Sequence, residues 1–199
     1  MSQHMRRMVA GRLPWLALLG LTNLTMGATR AAAQAYARDP ATVVIEFSER
    51  FGEVGEEDHP SLRIHGDGRV VAHHPRYMKR AGDYTTQLSR AEMDDLVQSL
   101  IAKGVMEFDP GTVRARKREA IATRRAAAEA GEPGQIRAVS DADVTRIALH
   151  LGTQAKTITW AGLRADAVEL PEVVPIRNLA AAADELRTIL DRPTLLKTN

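Results

Sequence analysis

The chain has 199 residues, with 27 Lys and Arg against 25 Asp and Glu, no cysteine and 4% aromatic residues. The missing cysteines exclude disulfides, thiolate metal ligands, a thiol nucleophile and a lipid-modified N-terminal cysteine. The near balance of charge argues against nucleic-acid binding, which needs a basic surface to displace counterions from phosphates.

Residues 1–35 read as a cleaved signal peptide. Arg6, Arg7 and Arg12 make a basic start, the apolar run L-P-W-L-A-L-L-G-L-T-N-L-T-M-G-A follows, and Ala33-Gln34-Ala35 supplies a small-residue cleavage site before Tyr36. Ala31-Ala32-Ala33 before Gln34 is the alternative cut. Thr22, Asn23 and Thr25 make the run too short and polar to span hydrocarbon roughly 30 Å thick, so a retained anchor is the lesser reading. Arg6-Arg7 also resembles a twin-arginine leader, but Met8, Val9 and Ala10 depart from that pattern and ordinary secretion is expected. The leader holds four arginines and no acid, so the mature chain has 23 basic against 25 acidic residues, a net charge of −2.

Residues 36–199 suffice for one domain with a real core. Ala41 to Ser48 alternates with period two and predicts a half-buried strand, with Val43, Ile45 and Phe47 on one side and Val44, Glu46 and Ser48 on the other. Glu49 to Pro60 is acidic and reads as a solvated loop. Leu62 to His74 then holds three of the six histidines around Gly66-Asp67-Gly68. A three-residue loop with Gly68 left-handed puts Leu62, Ile64, Val70 and Ala72 on one face, and Arg63, His65, Arg69, Val71 and His73 on the other. Tyr84 to Leu88 has strand composition. Ser89-Arg-Ala-Glu92 is a capping box, and Met93, Leu96, Val97, Leu100 and Ile101 form a helical apolar stripe that Gly104 ends.

Pro110 to Ser140 is rich in Ala, Arg and Glu and is read as a protruding, mobile helical insertion, with Val113 and Ile121 its only large apolar residues before Gly131. Thr145 to Leu151 and Lys156 to Trp160 predict a second hairpin around Gly152. After a loop with Pro171 and Pro175, Ile176 to Leu190 predicts a helix with Ile176, Leu179, Ala183, Leu186 and Leu190 inward. The expected fold is a single α+β domain, a mainly antiparallel sheet covered by two amphipathic helices, with a basic helical insertion.

Two basic regions stand out. Arg63, Arg69 and Arg76, beside His65 and His73, suit a partner's carboxylates or another anion. Arg116, Arg118 and Arg124 lie in the densest basic cluster, which suits a protein partner or an envelope polyanion. The plainer account of each is a solvated face. No metal is expected, because His73 and His74 alternate across the strand and Arg63 and Arg69 repel a cation. Asp141-Ala-Asp143 caps a loop more readily than it begins a calcium site. Neither a nucleophile elbow nor a phosphate loop occurs, so no catalytic residue and no cofactor is assigned.

The segments P-S-L-R-I-H-G-D-G-R-V-V-A, K-G-V-M-E-F-D, V-T-R-I-A-L-H-L-G and A-K-T-I-T-W resemble small exported bacterial domains of unknown function, in which a GDG hairpin precedes a helix and a second hairpin leads to a C-terminal helix. The resemblance covers about Ala41 to Asp109 and Val144 to Leu190, excludes the basic insertion and implies the fold and export, with no functional residue. The expected function is that of an exported, non-enzymatic interaction module in the periplasm or outside the cell, binding a protein or an envelope polyanion but not nucleic acid, with no membrane span after cleavage. The alternative is a small hydrolase or a ligand or metal carrier with its site around His65 and His73.

Overall fold

The computed structural model describes residues 36–51, 58–131 and 142–198. The expected leader and residues 132–140 of the expected insertion lie outside the described residues. Seven strands, β1 (Val43–Arg50), β2 (Ser61–His65), β3 (Arg69–His74), β4 (Gly82–Gln87), β5 (Val144–Leu151), β6 (Gln154–Ala161) and β7 (Leu196–Lys197), form one sheet. Their order is β6-β5-β1-β2-β3-β4-β7, and every neighbouring pair is antiparallel. The helices are α1 (Arg90–Ala102), α2 (Pro110–Glu129), α3 (Leu163–Glu169) and α4 (Val174–Leu190). The protein therefore has the expected α+β fold.

The β2–β3 register follows the three-residue loop. Ile64 pairs with Val70 and Leu62 with Ala72, Gly68 has φ of 87°, and all four apolar side chains are buried. Gly66 is required for a different reason: the carbonyl of Ala37 would lie 1.8 Å from a Cβ at this position. In β1, Val44 corrects the alternation argument. The register slips between Val43 and Ile45, and this bulge leaves Val44 and Ile45 both fully buried.

The helices supply the other half of the core. The α1 capping box forms as expected, and Met93, Leu96, Val97 and Leu100 are buried. In α4, Ile176, Leu179, Ala183, Leu186 and Leu190 are buried together with Ala182 and Ile189. Fully burying each large apolar side chain is worth on the order of 1.5–3 kcal/mol before entropy is subtracted. Pro175 belongs to the first turn of α4 rather than to a loop, because a proline there forfeits no intrahelical hydrogen bond.

The reading of the insertion as a protruding, mobile arm is corrected as well. At least as far as Arg124, α2 is docked against the domain. Asp109 caps its start, Val113 enters the core, Lys117 Nζ lies 2.6 Å from Asp166 Oδ1 in α3, and Arg124 pairs with Glu172. The indole Nε1–H of Trp160 donates to Asp166 at 2.7 Å, and Phe108 meets its ring edge-on. Val113 is in the core with Ala120 and Ile121 packed against it, and the ion pairs fix the polar positions of the same side of the helix.

The reading of Glu49 is corrected too. It ends the buried side of β1 instead of opening a solvated loop; it is 3% exposed and ion-paired with Arg187 of α4.

Candidate functional site

The buried faces of the strands and the buried residues of all four helices share one core cluster, so the helical layer covers a single face of the sheet. The opposite face carries Glu46, Ser48, Arg63, His65, Arg69, Val71, and, on further strands, their cross-strand partners. One row crosses it from Glu46 to Arg63, Val71, Thr85 and Leu196, each paired with the next. Arg63 is exposed, Val71 and Thr85 are half-buried, and Leu196 is 70% exposed. Antiparallel sheets commonly leave one face in water, but that face is then normally polar. Here the Arg63 guanidinium stands between Glu46 and Val71, with the exposed Leu196 further along the row.

Around that row the cations are mostly engaged within the protein. Arg69 donates to the Pro40 carbonyl at 3.1 Å and to His65 Nδ1 at 3.1 Å. Arg146 pairs with Glu46 at 2.7 Å. His73 sits between two carboxylates, with Nδ1 2.6 Å from Asp83 and Nε2 3.1 Å from Asp58, whose second oxygen accepts from the Arg76 amide. The Arg76 side chain itself is exposed. The surface is thus less cationic than its sequence suggests. Arg63 forms no ion pair among the described residues, its cross-strand neighbour Glu46 being held by Arg146.

The histidines of the alternative site do not converge. His65 and His73 occupy opposite ends of the hairpin, about four residues and so roughly 13 Å apart at ~3.3 Å per residue. Ser61 is the cross-strand neighbour of His73, and Asp83 completes the residue types of a hydrolytic triad. Both ring nitrogens of His73 are already bonded to carboxylates, however, so none is free to take a proton from Ser61. Among the described residues, no group of three or more His, Asp and Glu side chains could hold a metal ion.

The second basic region is separate. Val113 ties α2 to the helix-covered side of the sheet, so Arg116, Arg118 and Arg124 do not extend the hairpin surface. Arg116 is exposed beside Val174 and Pro175, Arg118 is exposed, and Arg124 is held by Glu172 at 2.8 Å.

His73 and His74 respond oppositely to pH. Partial burial pulls the His73 pKa down, but hydrogen bonds to Asp83 and Asp58 outweigh it and raise it above the ordinary value of 6.5. Asp58 is lowered in turn by the His73 hydrogen bond and the Arg76 amide. His74 points into the core, is 2% exposed and meets Tyr84 edge-on at 5.4 Å. Its two ring nitrogens lack hydrogen-bond partners; the Leu190 carbonyl is near without completing a bond of normal geometry. Burial and the Arg80 charge lower its pKa, against the weaker pull of Asp191.

The folded state binds the His73 proton more tightly than the unfolded chain. Its contribution is full below pH 6.5 and is lost as pH rises through its raised pKa. For His74 the unfolded chain binds the proton more tightly, so stability is lost as pH falls below 6.5 towards its lowered pKa. In urea titrations between pH 4 and 8, His74→Leu is expected to flatten the acid-side decline and His73→Gln the alkaline one. Unchanged pH profiles in both variants would contradict these assignments.

The fold and surface define a two-layer α+β domain with one open sheet face. No protein-family model and no curated protein matches the chain, so the resemblance to exported bacterial domains rests on its hairpin and helix motifs alone.

Proposed function

We propose that the protein is an exported interaction module whose open sheet face binds a protein partner through carboxylates. The observation that carries this reading is the row Glu46, Arg63, Val71, Thr85 and Leu196, in which Glu46 is held by Arg146, Arg63 forms no ion pair among the described residues, and Val71 and Leu196 offer apolar surface beside it. Interface cores pair apolar contacts with arginine in this way. A polyanion would be better served by a dense positive field, whereas here Arg146 and His73 are paired and Arg69 is held in place by the protein.

Export rests on the leader. Tyr36, the residue after the expected cut, is itself part of the domain: its ring is buried and its hydroxyl donates to Asp94 at 2.7 Å. Intact mass of the chain recovered from its host's envelope fraction tests this: a form beginning at or near Tyr36 is expected, and a full-length chain in the cytosol would oppose it.

The binding reading is tested with Arg63→Ala combined with Arg69→Ala. The pair should weaken association by at least about tenfold, about 1.4 kcal/mol, without altering the thermal unfolding midpoint by more than a few degrees. Undiminished association would oppose the reading.

A further inference from the structure

A cleft of about 250 Å3 opens between α3 and α4, away from the open sheet face. Its walls are Leu163, Ala167, Ala180, Ala181 and Ala183, and its floor is the buried end of β1 and β5, with Glu49 and Thr145. Protein interiors are normally packed with few voids larger than a water molecule. The space here persists because the facing helical positions are alanine, four of them consecutive from Ala180 to Ala183. Larger side chains would close it, and Ala167 and Ala180 are only half-buried against the core.

The charges around the cleft are uneven. Arg187 is spent on two carboxylates, Glu49 and Asp184, both of which also line the cleft. Arg164 and Arg177 also line the cleft, are exposed, and have no carboxylate partner among the described residues. Two unpaired guanidinium groups therefore stand at the mouth of an apolar slot. The volume lies just under the roughly 300–1,000 Å3 that takes drug-sized ligands, which suits a short chain.

We infer that this cleft binds a small apolar monocarboxylate, its hydrocarbon against the alanines and its carboxylate between Arg164 and Arg177. The site is independent of the open sheet face and stands or falls apart from it.

The test is calorimetric titration of the purified full chain with octanoate, with 1-octanol as the uncharged comparison. Saturable one-to-one octanoate binding is expected, with octanol at least tenfold weaker. Arg164→Gln combined with Arg177→Gln should remove that preference, and Ala180→Leu should fill the cleft and abolish binding while leaving the unfolding midpoint unchanged or raised. Arg63→Ala with Arg69→Ala should bind octanoate as the parent does. No saturable octanoate binding, equal affinity for octanol, or binding that survives Ala180→Leu would each overturn the inference.

Discussion

Arg187→Ala is expected to destabilise the domain by about 3–5 kcal/mol, the cost of leaving a buried carboxylate without its partner. Glu49 reaches α4 from the C-terminal end of β1, and its side chain is 4% exposed. Arg187 Nε donates to Glu49 Oε2 at 2.8 Å, a second guanidinium nitrogen donates to Oε1, and the third reaches Asp184. The Glu49 hydrogen bonds come first among the causes that raise the Arg187 pKa. Removing only the arginine keeps the desolvation of Glu49 and loses its compensation. Replacing both, Glu49→Leu with Arg187→Met, should cost less than the single change, because no buried charge remains. Urea unfolding of the three proteins checks this; a single-variant loss under about 1 kcal/mol, the scale of an exposed pair, would contradict it.

Trp160→Ala should cost a similar amount, about 3–5 kcal/mol as for other buried aromatic truncations. The indole is 3% exposed, packs edge-on against Phe108 and lies under Arg114, 5.6 Å from the ring centre. Its Nε1–H also fixes Asp166, the carboxylate that receives Lys117. The variant should therefore loosen α2 beyond its effect on the core. Hydrogen exchange across Pro110–Glu129 is expected to accelerate more than exchange in β2 and β3. Uniform acceleration would mean that the indole acts through core volume alone.

The sequence makes some of this architecture legible and hides the rest for identifiable reasons. The Gly66-Asp67-Gly68 register and the Ser89 capping box are readable because turn chemistry and apolar period agree. α3 is not: it is seven residues long, buries only Leu163 and leaves Val168 76% exposed, so no stripe marks it. The docking of α2 escapes because its partners, Asp166 and Glu172, are 49 and 48 residues away and charged. Glu49 is misjudged because composition alone places an acidic residue in solvent, and only the fold supplies Arg187. At the candidate surface, alternation identifies Arg63, His65, Arg69 and His73 as one face. It cannot show that Asp58 and Asp83 occupy both nitrogens of His73, or that Leu196 from the C-terminal end completes the row beside Thr85.

The open face is tested most directly by placing a photo-crosslinking side chain at Val71, in the middle of the row, and another at Val168, exposed on the helical side, and irradiating cells that export each form. A discrete covalent adduct with a second protein from position 71, absent from position 168 and lost when Arg63 and Arg69 are both alanine, is the predicted result. Equal adducts from both positions, or none from position 71, would contradict a docking role for the sheet face.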